Sequence, residues 1–253
     1  MHPELYAQIF SVQTTHWWGR SRRELALDLL KRFGASEYCR HIDVGCGTGQ
    51  NLQLLDGLEP SLVVGIDVSP IALELAGKVS GQSRLVQSNI NGILPFADEA
   101  FDVATIFNVL CHRWVESEVA VLREVRRILR RNGLLLITEP ALPMLARKLD
   151  IVGMARCRYR LQPFIDLLGA ANFDVLFTSY ITSFGVPIIL GTKVVAALAR
   201  KTPADDAQVP DMRPLSPGLN ATLYRLARIE AGLVKASVPM PFGTTIICIA
   251  RRH

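Results

Sequence analysis

One stretch constrains this chain more than any other: Asp43-Val44-Gly45-Cys46-Gly47-Thr48-Gly49. It follows Arg40–Val44, which reads as a strand, and precedes a segment with Leu52, Leu54 and Leu55 that reads as a helix. Glycines let the backbone turn sharply and approach a ligand closely. A strand feeding such a turn and then a helix places a ligand at the carboxyl end of a sheet. The dinucleotide pattern G-x-G-x-x-G fails here, because Gln50 stands where its last glycine belongs. Asp43 also puts an acid where a nicotinamide-binding strand is normally apolar. The ligand beside this turn is therefore expected to be cationic or zwitterionic.

The rest of the chain alternates in the same way. Leu62–Ile66 is a second strand ending at Asp67, and Ser69 with Pro70 supplies an N-cap followed by proline at the first helical position. Arg84–Gln87 and the apolar Phe101–Phe107 read as the third and fourth strands. Ser117–Arg131 predicts an amphipathic helix, with Leu122, Val125 and Leu129 on one stripe, arginines in its last turn and Asn132-Gly133 closing it. Leu134–Thr138 is the fifth strand, Gln162–Ala170 a helix and Phe173–Ser179 the sixth strand. Thr244–Ala250 is expected as an edge strand. Upstream, a polar-aromatic segment with Tyr6, Phe10, His16, Trp17 and Trp18 leads into a helix over about Ser21–Phe33, stopped by Gly34. This β/α alternation predicts an open, mostly parallel, doubly wound sheet with helices on both faces.

Two segments break the rhythm. Phe184–Ala199 is mostly apolar, but Pro187 and Lys193 interrupt it and it falls short of the ~18 residues that span a bilayer. A packed helical insertion is expected, with a lid or peripheral membrane contact as the alternative. Thr202–Gly218, rich in Pro and Asp, reads as an exposed loop before a helix carrying Leu219, Leu223, Leu226 and Leu233. The expected organisation is one domain over 1–253: an N-terminal cap (1–34), a ligand-binding core (35–180), an insertion (181–218) and a closing helix and strand (219–253).

Composition narrows the classes. Hydrophobic residues make up 49% and charged residues 20% of 253 residues, which suits a globular chain and excludes a disordered or fibrous one. The net charge of +5 comes from basic residues at helix ends and termini, not from a basic stripe interleaved with aromatics, so nucleic acid is not the expected partner. Five cysteines form no CxxC pair, as expected of reduced thiols in a cytoplasmic protein. No basic segment precedes an apolar core at the start, so no signal peptide is expected. The mean hydropathy of +0.25 is high.

Asp67 stands 22 positions after Gly45 at the end of its strand. An acid there accepts hydrogen bonds from both hydroxyls of a ribose. The helix-cap reading is weaker, because Ser69 already fills that role. Asn89, after the third strand, is placed to read an adenine edge, with a plain turn residue as the rival reading.

These residues carry a resemblance. HIDVGCGTGQ, VVGIDVSP, SNINGILPFADEAFDVATIFNVL and LREVRRILRRNGLLLITEP resemble the successive motifs of class I S-adenosylmethionine-dependent methyltransferases, over about Arg40–Pro140. The resemblance implies a Rossmann-like, seven-stranded sheet with an antiparallel last strand and S-adenosylmethionine as cofactor. It also implies that Gly45, Gly47 and Gly49, with Asp43, Cys46 and Thr48, line the methionine and ribose portion. Asp67 with Val68 would take the ribose, Asn89 with Ile90 the adenine, and Phe107 with Asn108 the sulfonium. Asn89 replaces the more usual aspartate. HWWGRSRRELALDLL, ARCRYRLQPFIDLLGAANFDV and the closing segment from Leu219 are similar to a narrower subgroup, in which Arg22 would meet the carboxylate of the cofactor's methionine tail. Where that subgroup often has histidine, this chain has Ala155.

Methyl transfer from a sulfonium is an in-line displacement, so positioning alone can lower the barrier by ~7–11 kcal/mol. A base is needed only for a protonated acceptor. The candidates are His16, which also reads as a packing histidine, His112 in CHRW, which also reads as structural, Glu139 at the end of strand five, which also reads as a cap, and Tyr159 beside Arg158. Cys46 reads as a packing residue. No carboxylate cluster suggests Mg²⁺, and no metal is expected. The expected acceptor is a small, apolar or amphipathic metabolite such as a natural-product or lipid- or glycan-linked intermediate, methylated on oxygen or nitrogen before carbon. A cofactor-binding but non-catalytic regulator, and a nicotinamide-dependent oxidoreductase, are the competing classes.

Overall fold

The structure is a computed structural model that describes residues 3–198 and 215–253. Seven strands form one sheet in the order β3-β2-β1-β4-β5-β7-β6. They are β1 (Arg40–Val44), β2 (Leu62–Asp67), β3 (Arg84–Gln87), β4 (Phe101–Phe107), β5 (Leu129–Pro140), β6 (Phe173–Ile181) and β7 (Thr245–Arg252). The first five are parallel, while β7 lies antiparallel between β5 and β6. The expectation of an edge strand at the C-terminus is therefore corrected. Ile246–Ala250 are all fully buried, as suits an interior strand apolar on both faces.

Strand alternation sends successive side chains to opposite faces, and each face has its own core. On one, Ile42, Val44, Ala104, Ile106, Leu135 and Ile137 pack with helices α4 (Glu118–Ile128) and α6 (Leu161–Ala170). On the other, Val103, Phe107, Leu134, Leu136, Ile247 and Ile249 meet α2 (Trp17–Arg32) and α8 (Pro217–Lys235). The doubly wound, Rossmann-like architecture stands. The strand sequence reverses between β1 and β4, the crevice where such sheets bind ligands.

Several boundaries differ from expectation. Helix α1 (Pro3–Val12) precedes α2, and α2 starts at Trp17 instead of Ser21, capped by the His16 ring, whose Nδ1 accepts from the Trp18 N–H at 3.3 Å. After the glycine turn the chain runs through successive turns, not a helix. This lets Leu52 pack under helix α3 (Pro70–Gly77) while Leu54 and Leu55 join the α2 side. Helix α4 ends at Ile128, because Leu129 is extended (ψ 140°) and pairs with Phe101. Arg130 and Arg131 thus lie on β5, and Asn132 (φ 61°) makes an irregularity within the strand instead of closing a helix.

Helix α5 (Lys148–Val152) and helix α7 (Gly185–Leu198) follow β5 and β6; α7 is the apolar insertion, and Ile188, Val194 and Val195 on it are exposed. The loop expected over Thr202–Gly218 lies largely outside the described residues, and its last two positions already belong to α8. The expected leucine stripe of α8 is not its buried face. Leu219, Leu226 and Leu233 are exposed, while Ala227, Ala231 and Val234 pack inward against α2, where small side chains let the helices approach. No described helix is long and apolar enough to cross a membrane.

Candidate active site

A cavity of about 500 Å³ opens at the carboxyl ends of the parallel strands. Gly45, Asp67, Phe107 and Pro140, which end or follow β1, β2, β4 and β5, line its floor, and α1 with the first turns of α2 supplies further wall.

The turn after β1 is held in a backbone region closed to most residues, with φ 73° at Gly45, 54° at Gly47 and 83° at Gly49. The three glycines do different work. A Cβ on Gly45 would sit 2.5 Å from Val109 Cγ2, and one on Gly49 would sit 3.0 Å from Ala76 Cα. A Cβ on Gly47 would meet nothing within 4 Å, and Gly47 lines the cavity. Gly49 packs against α3 and is not among the residues lining the cavity.

Asp67 locks the turn to β2. Its Oδ2 accepts the Gly47 N–H at 2.9 Å and its Oδ1 the Ser69 N–H at 2.8 Å. Burial raises its pKa and these N–H groups oppose the rise. Each oxygen keeps a lone pair for a ligand hydroxyl. Ser69 Oγ caps α3 by accepting from Ala72, as expected. Val68 is exposed and lines the cavity beside them.

Behind the turn lies a buried polar layer. Thr105 donates to Asp43 Oδ1 at 2.7 Å and lies 2.9 Å from His41 Nε2. Asp43 Oδ2 has no partner, and burial pushes this carboxyl up to about 7. Asp43 stands one layer behind the cavity wall, not in it. Arg22 does line the cavity, 4% exposed, with its guanidinium 4.0 Å from the Trp18 ring centroid and 4.8 Å from that of Phe107. Its Nε and Nη1 are unpartnered, and burial lowers its pKa to about 9.

The remaining candidates separate. His16 and His112 both line the cavity, and burial lowers both pKa values, leaving neutral rings at pH 7. His112 stacks on Trp114 and its Nδ1 has no partner. Cys46, Thr48, Phe107 and Asn108 line the cavity, and Asn108 (φ 56°) keeps an unpartnered Oδ1. Burial pushes the Cys46 thiol up, which suits packing. Glu139 is fully buried outside the lining; its carboxylate accepts the N–H groups of Val109, Leu110 and Cys111 at 2.8–3.2 Å, so it anchors the loop after β4.

Three further expected site residues are not at the cavity. Asn89 accepts from the Asn91 N–H at 3.0 Å, the turn role weighed against adenine recognition. Ile90 is 3% exposed within the core. Tyr159 packs on Phe164 and lies 3.3 Å from Glu118.

Sequence reasoning missed α1 as an element. Leu5, Ile9 and Val12 repeat at helical spacing and all face the cavity, which was the available signal. Gln13, at its end, clamps the glycine turn. Thr48 Oγ1 donates to Gln13 Oε1 at 2.5 Å, and Gln50 Nε2 to the Gln13 carbonyl at 3.0 Å. Trp17 bonds instead to Asn220 and packs on Phe184, whereas Trp18 faces the cavity. Among the described residues no group of three or more His, Cys, Asp or Glu side chains is gathered for a metal.

Comparison with known proteins agrees with this geometry. Residues 42–137 match the methyltransferase domain family. The chain is 28% identical over 140 residues to trans-aconitate 2-methyltransferase of Enterobacter sp., covering 55% of this chain and 50% of that protein. It is 33% identical over 133 residues to malonyl-[acyl-carrier protein] O-methyltransferase of Legionella pneumophila, covering 51% and 45%. It thus spans about half the length of these curated relatives. An S-adenosylmethionine-dependent methyltransferase structure from Thermotoga maritima shares the fold with a TM-score of 0.57 at 18% identity, covering 99% of this chain and 95% of that one. Residues 42–137 thus resemble the methyltransferase domain family, and the seven-stranded fold is shared with solved S-adenosylmethionine-dependent methyltransferases.

Proposed function

We propose that the protein transfers a methyl group from S-adenosylmethionine to a small, apolar or amphipathic metabolite. The observation that carries this reading is the pair of partly unsatisfied buried groups beside the glycine turn: the Arg22 guanidinium in the wall, with Nε and Nη1 unpartnered, and the Asp43 carboxyl behind it, with Oδ2 unpartnered. Leaving buried charges unpaired costs several kcal/mol, and a zwitterionic amino-acid group relieves both.

The residues present fit the cofactor. Arg22 would take its carboxylate, Asp43 would favour its ammonium through the wall, Gly47 would let the backbone lie against it, and Asp67 would accept from its ribose. When bound, the cofactor supplies an electrophilic methyl on a cationic sulfur. The protein's part is to orient the acceptor and exclude water. The Trp18 and Phe107 rings stacked about Arg22 hold that guanidinium in place. His112, neutral at pH 7 with an unpartnered Nδ1, is available to take a proton from a hydroxyl or amine acceptor, whereas the His16 Nδ1 is occupied in capping α2.

Leu5, Ile9, Val12, Trp18 and Trp114 give the cavity an apolar wall, which gains ~25 cal/mol for each Å² of acceptor dried. The named activities of the relatives, on trans-aconitate and on malonyl-[acyl-carrier protein], support a small or carrier-borne acceptor. The exposed apolar face of α7 supports a peripheral membrane contact.

The test has two arms. S-adenosylhomocysteine should bind by calorimetry at micromolar concentration or below, and NADH should not. Labelled cofactor incubated with extract should then mark an organic-soluble compound. Binding of NADH alone, or label confined to nucleic acid or to protein side chains, would overturn the reading.

A further inference from the structure

The charged residues of the cavity divide into two groups. Arg22 and Asp67 belong with the cofactor. The others, Arg147, Asp150 and Arg158, come from the segment between β5 and α6, and line the same cavity. Within this second group the pairing is one-sided. Arg158, 9% exposed, clasps Asp150 with Nε at 2.7 Å and Nη2 at 2.8 Å, and its Nη1 donates to the Ala141 carbonyl at 3.1 Å. Asp150 also accepts the Arg147 backbone N–H at 2.9 Å. Its carboxylate is therefore spent, and the Arg147 guanidinium has no hydrogen bond or ion pair among the described residues.

Two arginines thus stand beside one carboxylate: Arg158 is buried against it, and Arg147 is exposed to solvent while lining the cavity. Partial desolvation at the cavity and repulsion from Arg158 lower the pKa of Arg147, and Asp150 only partly offsets them. An unpaired guanidinium beside a second arginine attracts an anion, and its planar fork suits a carboxylate held by two parallel hydrogen bonds. The cavity's other carboxylate, Asp67, lies on the cofactor side and already accepts the N–H groups of Gly47 and Ser69. His112 and His16 are neutral, Glu139 is outside the lining behind the β4 loop, and Ala155, which pairs through its backbone with His112, leaves the space beside that ring to a methyl-sized side chain.

We infer that the acceptor carries a carboxylate that pairs with Arg147 while its apolar body lies against the α1 wall. Arg158 and Asp150 act as positioning residues that hold the segment and keep Arg147 unneutralised. The inference rests on the methyltransferase reading and narrows its acceptor to an anionic amphiphile.

The test uses the full chain saturated with S-adenosylhomocysteine. The probes are matched acids and primary amides: octanoate with octanamide, and 4-hydroxycinnamate with 4-hydroxycinnamamide. Calorimetry should show at least one acid binding about tenfold or more tighter than its amide, the scale of one charge-assisted contact. Arg147→Gln should abolish that preference, Arg147→Lys should restore part of it, and the surface substitution Arg123→Gln should leave it unchanged. S-adenosylhomocysteine affinity should be the same in all four proteins. Equal binding of acids and amides, absence of binding by every acid, or a preference that survives Arg147→Gln overturns the inference. Failure of S-adenosylhomocysteine to bind the unaltered chain would instead overturn the methyltransferase reading.

Discussion

The Gly47 N–H points to Asp67 Oδ2 at 2.9 Å, so the tip of the turn after β1 is fixed by the last residue of β2. The same carboxylate is the expected ribose acceptor. Asp67→Ala should therefore weaken S-adenosylhomocysteine binding by ~1.5–3 kcal/mol for each charged hydrogen bond lost. Asp67→Asn, which keeps one acceptor oxygen, should lose less. Calorimetry at fixed pH checks the order.

Arg22 should give effects of opposite sign on stability and binding. Its guanidinium is buried with Nε and Nη1 lacking hydrogen-bond partners, so Arg22→Met should raise the thermal midpoint of the ligand-free protein, because a buried, incompletely hydrogen-bonded charge is replaced by an apolar chain. The same change should weaken S-adenosylhomocysteine by tenfold or more. A loss of both stability and affinity would mean that Arg22 is structural.

The glycines predict a second separation. Gly49→Ala drives a Cβ to 3.0 Å from the α3 backbone and should destabilise the fold. Gly47→Ala meets no atom and should cost only the strain of its positive φ, ~1–2 kcal/mol. Its methyl group nevertheless occupies ligand space, so affinity should fall further than stability does. Thermal melts with and without S-adenosylhomocysteine distinguish the two variants.

Asp43 makes stability depend on pH in a defined direction. Its carboxyl is raised from 3.8 to about 7 by burial, so between those values the native state holds a proton that the unfolded chain has released. Stability from this group therefore falls as pH rises from 3.8 and levels off above about 7. Asp43→Asn should flatten that slope in thermal melts. S-adenosylhomocysteine, whose ammonium favours the ionised form, should flatten it as well.

Much of the sheet was legible because β-strands announce themselves locally. Arg40–Val44, Arg84–Gln87 and Phe101–Phe107 have the bounds expected, each an apolar run closed by a polar or glycine signal. The glycine turn and Asp67 were legible for the same reason. The misreadings all depend on partners distant in sequence. Thr245–Arg252 resembles an edge strand until β5 and β6 are seen on either side. Leu129 looks like a helical stripe residue until it pairs with Phe101. Asn89 and Tyr159 sit at the right positions in the pattern, yet Asn91 and Glu118 are what their polar atoms meet. Arg147 carried no local signal at all, since its meaning depends on Arg158 having already taken Asp150.

The placement of β7 also sets an order of events on the ribosome. β6 pairs with β7 and not with β5, so a nascent chain that has released Phe173–Ile181 has no edge on which to dock it. Until Thr245–Arg252 emerges, two hydrogen-bonding edges stay open, that of β5 on the half-built sheet and that of β6 itself. Open edges recruit foreign strands, so β7, the last of the seven strands in chain order, is the one that seals the sheet against aggregation.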